Sequence, residues 1–75
     1  MKLGDKVTLS DPIKFIKENK YIFPYGIITY ISVKGEYASV IVPYCFDKYG
    51  FELKKENYVI HPNIIDLEVV NDWKN

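Results

Sequence analysis

Hydrophobic and polar residues alternate near the start of the chain. Within residues 6–10, Val7 and Leu9 would lie on one side of an extended segment and Lys6 and Thr8 on the other. A period of two residues is typical of a strand with one buried face. The sequence therefore predicts a first β-strand at residues 6–10.

Two longer apolar runs follow and predict a β-hairpin. They occupy residues 26–33 and 37–43, and Gly35 lies in the turn between them. Glycine adopts the positive φ that tight hairpin turns require. Because the first run is apolar on both faces, we expect it to lie centrally in a sheet, and Pro43 should end the second run because proline cannot donate to the ladder.

The second half of the chain is less regular. We expect a twisted hairpin around a turn at residues 47–50, then further elements in this order: a strand at 58–61, a 3₁₀ turn at 62–65 and a last strand at 66–70. Residues 71–75 are predicted to be a frayed tail, although Trp73 could fold back onto the domain.

Residues 11–25 form a segment that allows two interpretations. Asp11 and Pro12 could cap and start a short helix reaching Glu18, and a plain loop is the alternative. The segment is richer in large apolar side chains than a solvated loop requires. Either it covers the open end of a barrel, or part of it is a docking surface. The residues concerned are Ile13, Phe15, Ile16, Tyr21, Ile22, Phe23 and Tyr25.

Length and composition agree with one small β-domain. The chain has 75 residues, enough for a single domain spanning residues 1–75 with one core. Ile, Val, Thr and aromatic residues are abundant, and these types favour pleated, half-buried surfaces. Alanine, the best helix former, occurs once, as Ala38. We therefore expect a mainly β fold.

The order of elements resembles a known superfold. Residues 2–9, 25–31 and 59–70 look like the three blocks of KOW- or Tudor-type SH3-like small barrels. The resemblance implies a five-stranded barrel with a long first loop and one 3₁₀ turn before the last strand. Residues 20–25 lack the aromatic motif of peptide-binding SH3 domains, so capture of proline-rich peptides is not expected. In size and in its richness in Lys, Ile, Asn and Tyr, the chain also resembles small uncharacterised phage or prophage proteins.

Charge disfavours nucleic acid as a partner. Ten positive residues balance ten negative ones, and all the positive ones are lysines. Phosphate binders usually carry excess positive charge and use arginine as a bidentate donor. The lysines nevertheless group in the two long loops, so a basic patch stays an alternative if those loops share one side. The patch would consist of Lys14, Lys17, Lys20, Lys48, Lys54 and Lys55.

No catalytic, metal or cofactor site is expected from the sequence. Cys45 and His61 are the only residues of their kinds, too few for a structural zinc site. A Cys–His nucleophilic pair would also need an orienting third group and an oxyanion site. One cysteine permits no internal disulfide, and no membrane span or export signal is evident. We therefore expect a cytoplasmic protein without a cofactor.

The leading interpretation is a non-enzymatic protein-interaction module. Seven tyrosines supply large, stiff contact surfaces, and the first long loop would present the anchors Tyr21, Phe23 and Tyr25 beside Pro62. A phage-encoded modulator or inhibitor of a host protein fits this interpretation, as does a self-associating accessory domain. The alternative is a KOW- or Tudor-like nucleic-acid-binding module that uses the lysine patch and the tyrosines.

Overall fold

The protein is mainly β-structure, as predicted. The computed structural model describes residues 1–54 and 58–70, with the backbone only for Lys54 and Tyr58. The predictions for Lys55, Trp73 and the tail 71–75 lie outside the described residues. The elements in chain order are β1 (Lys6–Leu9), α1 (Pro12–Asn19), β2 (Tyr21–Ile22), β3 (Gly26–Ile31), β4 (Ala38–Val42), β5 (Cys45–Asp47), β6 (Glu52–Lys54), β7 (Tyr58–Ile60), a 3₁₀ turn (Ile64–Asp66) and β8 (Leu67–Val69).

Five strands form one antiparallel sheet in the order β7-β4-β3-β1-β8. The central place predicted for the run at residues 26–33 is confirmed, because β3 is the middle strand of the five. The β3–β4 hairpin is also confirmed, with Gly35 at a φ of 71° and its N–H donating to the Ser32 carbonyl over 2.8 Å. As expected, β4 ends immediately before Pro43. The most regular apolar runs therefore build the middle of this sheet.

The expected five-stranded barrel is not confirmed, because a second sheet of three strands, in the order β2-β5-β6, accompanies an open first sheet. The hairpin predicted after Pro43 is confirmed as β5–β6, but it pairs with β2, a two-residue strand that the sequence pattern does not reveal. The five-stranded sheet remains open, with β7 and β8 at its two edges. Among the described residues there are thus two sheets rather than one closed five-stranded barrel.

Local chemistry at both ends explains why α1 is a helix. The Asp11 side chain accepts a hydrogen bond from the Lys14 N–H at 3.1 Å, and Pro12 occupies the first turn. At the other end Lys20 adopts a left-handed φ of 65°, and its N–H donates to the Ile16 carbonyl over 2.8 Å. The helix interpretation of this segment is therefore correct.

Phe15 joins the helix to the core. Its side chain is 1% exposed, and its ring makes edge-on contacts with Tyr21 at 5.3 Å and Phe23 at 6.0 Å between ring centroids. Such geometry is favourable because the positive edge of one ring meets the negative face of another. Phe23 is itself only 4% exposed. The buried cluster comprises Val7, Leu9, Phe15, Phe23, Ile28, Ala38, Val40, Val42, Cys45, Ile60 and Leu67.

These observations correct the expectation that the first long loop presents its rings outward. Phe23 is a core residue, and Pro62 is also buried. The Pro62 carbonyl accepts a hydrogen bond from the Ala38 N–H at 3.1 Å, and Asn63 forms an isolated antiparallel β-bridge with Tyr37. Because residues 62 and 63 are held against β4 in this way, the 3₁₀ turn begins at Ile64, two residues later than predicted.

Gly26 marks a close approach between β3 and β4. A Cβ atom added there would overlap the Val40 and Val42 side chains and lie 2.8 Å from the Ile41 carbonyl oxygen.

We expect Gly26→Ala to lower the free energy of unfolding by about 2–3 kcal/mol, since backbone must shift to relieve the overlap. Urea titration measures the change. The control is Val33→Ala, at a 98% exposed position, which should change the free energy of unfolding by less than about 0.5 kcal/mol.

Two phenylalanines in opposite environments test the core assignment of the first loop. Phe23→Ala should lower the free energy of unfolding by about 3–5 kcal/mol, because it removes a buried ring and leaves a cavity. The matched control is Phe51→Ala, whose ring is 70% exposed and whose loss should change stability by less than about 0.5 kcal/mol. Equal midpoints for both variants in thermal or urea unfolding would contradict the assignment.

Candidate functional site

The four anchors predicted from the sequence do not form one exposed surface. Phe23 and Pro62 are buried, Tyr21 is half-buried against Phe15, and Tyr25 alone is well exposed, at 39%. Burial raises the pKa of the Tyr21 hydroxyl, and the nearby Cys45 adds to that shift. At neutral pH Tyr21 is therefore a neutral, core-packed ring.

Tyr25 lies at the boundary between the first loop and the five-stranded sheet. The Lys6 ammonium nitrogen is 4.7 Å from the centre of its ring, which is cation–π distance. The Thr8 hydroxyl donates to the Pro24 carbonyl over 2.9 Å and ties the preceding backbone to β1. Because of these contacts, Tyr25 lies close to the five-stranded sheet and does not project into solvent as a separate anchor.

Among the side chains that the structure describes, the most exposed aromatic rings lie at the tip of the β5–β6 hairpin. Tyr49 is 73% exposed and Phe51 is 70% exposed, and Leu53 on β6 is also exposed. The sequence placed these rings around a turn but did not single them out as anchors. The signal available was the glycine at position 50 between two aromatic residues, which is typical of a turn that displays its neighbours.

Asp47 holds this tip in one conformation. Its Oδ1 atom accepts hydrogen bonds from the N–H groups of Tyr49, at 2.9 Å, and Phe51, at 3.0 Å. The Asp47 N–H donates to the Phe51 carbonyl over 2.9 Å, and the Gly50 N–H donates to the Asp47 carbonyl over 3.0 Å. Gly50 supplies the required φ of 86°. The two rings are therefore displayed on a backbone that is already ordered.

Charges around the hairpin tip are mixed in sign. The Lys48 ammonium nitrogen lies 5.1 Å from the centre of the Tyr49 ring, while Asp47 and Glu52 are acidic neighbours. A surface of this kind has no strong preference for a polyanion, because binding to phosphates requires excess positive charge. The tip is better described as apolar with a polar rim.

A second exposed apolar surface lies on the outer face of the five-stranded sheet. Ile27 is paired with Ile41, and Ile41 with Val59, so three adjacent strands place apolar side chains in one row. Lys6 is paired with Ile27 and ends the row on β1. Directly opposed residues in antiparallel strands have Cβ atoms about 5 Å apart, so the row is continuous.

An aromatic group extends this row. A β-bulge between Ile28 and Tyr30 turns Tyr30 outward, opposite Ser39. The Tyr37 ring centroid lies 6.3 Å from that of Tyr30 and 6.4 Å from that of His61. The Ser39 hydroxyl and His61 Nδ1 are hydrogen-bonded at 3.0 Å. We call the set Ile27, Tyr30, Tyr37, Ile41, Val59 and His61 the outer face.

A depression of about 420 Å³, open to solvent, lies at one end of the outer face, lined by Tyr37, His61 and Asn63. Its size suits a small ligand or a protruding side chain of a partner. Cys45 is buried in the core while His61 is exposed outside it, so these two residues are not brought together. Among residues 1–54 and 58–70, no group of His, Cys, Asp or Glu side chains could hold a metal ion.

The described lysines of the predicted patch lie at two neighbouring parts of the fold. Lys14 and Lys17 are exposed on α1, Lys20 is exposed at its C-terminal end, and Lys48 lies at the hairpin turn. These elements share one half of the molecule, because α1 contacts β2 and β2 pairs with β5. The side chain of Lys54 and all of Lys55 lie outside the described residues, so the predicted patch is only partly placed.

No described helix is long and apolar enough to cross a membrane. Comparisons with protein-family models, with curated proteins and with solved structures found no match for this chain. Residues 1–54 and 58–70 present two groups of neighbouring exposed apolar side chains, the hairpin tip and the outer face.

Proposed function

We propose that this chain is a non-enzymatic protein-interaction module and that the tip of the β5–β6 hairpin is its principal contact surface. The observation that carries the proposal is the display of two aromatic rings, Tyr49 and Phe51, at 73% and 70% exposure on a hydrogen-bonded turn. Aromatic anchors of this kind dominate the binding energy of many interfaces.

The order already present in the tip would favour binding. A partner pocket that covers the Phe51 ring gains about 1.5–3 kcal/mol from burial of apolar surface. Because Asp47 and Gly50 already fix the turn, little additional backbone entropy is lost on association. A convex apolar tip fits a concave apolar pocket, so the partner we propose is a protein that presents such a pocket.

The architecture we propose is a relative of the SH3-like small barrels, with its five-stranded sheet left open and a hairpin added. The strand order β7-β4-β3-β1-β8 and the 3₁₀ turn between the last two strands support this proposal. In it β5 and β6 are an elaboration of the second long loop, and β5 pairs with β2 of the first long loop. The scaffold then holds the hairpin in place, while the contact residues belong to the elaboration.

The setting we propose is the cytoplasm of a bacterium or of a phage-infected cell. The richness in Lys, Ile, Asn and Tyr supports an origin in a low-GC bacterium or its phages, and the single cysteine fits a reducing compartment. The mechanism would be occupation of a partner's surface, by which the module modulates or inhibits that partner.

A double variant at the hairpin tip tests the proposal. Tyr49→Ser combined with Phe51→Ser should reduce capture of the partner from a bacterial lysate at least ten-fold, because both anchors are lost. Its thermal midpoint should stay close to that of the unmodified protein, since both rings are exposed. Ile13→Ser is the matched control: it removes an apolar side chain of 69% exposure from α1 and should leave capture unchanged.

Equal capture by the double variant and the unmodified protein would contradict the proposal. Chromatography on heparin separates it from the nucleic-acid alternative, because phosphate binding weakens steeply as salt is added. We expect no retention at physiological salt. Strong, salt-sensitive retention that is lost when Lys14, Lys17 and Lys20 are changed to Gln would favour the alternative.

A further inference from the structure

The outer face presents more apolar surface than an ordinary solvated sheet. Its Ile, Val and Tyr side chains are between 36% and 46% exposed, although they project from the side of the sheet opposite the core. Together they leave on the order of 400 Å² of apolar area in contact with water, comparable with the largest patches found on monomeric proteins. Patches of that size are often functional.

From the arrangement of this face, we infer that the protein self-associates as a two-fold symmetric dimer through its outer face. Ile41 on β4 is the middle residue of the apolar row, with Ile27 on one side and Val59 on the other. The two-fold axis is parallel to β4 and lies midway between the two outer faces. Rotation about this axis places Ile41 over Ile41 of the second copy. Val59 then meets Ile27, so every contact in the row is apolar.

The aromatic residues of the outer face also match each other under this two-fold rotation. Tyr30 on β3 and His61 after β7 lie on opposite sides of Ser39 on β4. Rotation about the same axis therefore places His61 of one copy over Tyr30 of the other. Both rows of the face are thus self-complementary, as an isologous contact requires. Two sheets packed in this way lie about 10 Å apart with their side chains interdigitated.

Charge and area also select a second copy as the occupant. The net charge of the chain is zero, so two copies do not repel each other at long range. Lys6 is the one charged residue in the paired rows, which is too little positive charge for a phosphate backbone. Two outer faces would bury on the order of 1,000 Å², the area at which specific interfaces begin. We therefore expect a weak dimer, with a dissociation constant on the order of 10–100 µM.

Sedimentation equilibrium across a range of concentrations tests the inference. The unmodified protein should pass from monomer to dimer as its concentration rises from about 1 µM to about 1 mM. Ile41→Lys should remain monomeric, because it places two ammonium groups against each other on the axis. The control is Val33→Lys, which adds the same charge at a 98% exposed position outside the face and should dimerise normally.

Further variants distinguish a loss of dimerisation from a failure to fold and from an effect of the hairpin tip. If Ile41→Lys fails to fold, as judged by circular dichroism, Val59→Lys replaces it at the end of the row and should raise the dissociation constant at least ten-fold. The Tyr49→Ser, Phe51→Ser double variant should still dimerise, which separates this inference from the hairpin proposal. A monomer at about 1 mM, or a dimer lost only in the hairpin variant, would overturn the inference.

Discussion

The structure depends on the burial of one side chain, Phe15, at the contact between the helix and the sheets. Its ring packs edge-on against Tyr21 and Phe23, so one residue of α1 holds both the helix and the segment after it to the core. A 75-residue domain has little apolar surface to spare, and three aromatic rings are a large part of its interior. Removing this ring would loosen α1, because Phe15 is the buried residue of that helix.

The same constraint decides which aromatic residues remain outside. Phe15, Tyr21 and Phe23 pack into the core, whereas most of the other described aromatic side chains lie at the surface of this small domain. They are not scattered evenly. Tyr49 and Phe51 are displayed on a turn fixed by Asp47, whereas the outer face collects its residues through strand register. The hairpin tip is a turn between two strands and the outer face is one side of a sheet, so the two surfaces suit different partners.

Local patterns predicted much of the fold. The alternation around Val7, the turn at Gly35 and the cap at Asp11 each depend on a few neighbouring residues, and each is confirmed. The features that the sequence did not predict depend on contacts between residues far apart in the chain. A two-residue strand such as β2 has no period to detect and exists only because β5 pairs with it. The burial of Phe23 likewise depends on a helix that folds over the sheets, and apolar content alone cannot show which way a ring points.

The candidate surfaces were predictable only in part, for the same reason. Tyr30 faces outward because of a bulge whose position the alternation of residues 26–33 does not reveal. The outer-face row requires the register of β3, β4 and β7, whose residues are separated by long stretches of chain. The hairpin tip was predicted as a turn but not as a contact surface, although an aspartate, a glycine and two aromatic residues lie within five positions.

Hydrogen exchange of backbone amides tests most directly the claim that Phe15 makes the helical segment part of the core. The amide of Lys20, which donates to the Ile16 carbonyl, should exchange only through global unfolding, with the same free energy as core amides of β3 and β4. In Phe15→Ala it should exchange through a separate, lower-energy opening while the five-stranded sheet stays protected. Exchange of the helix at low free energy in the unmodified protein would contradict the account.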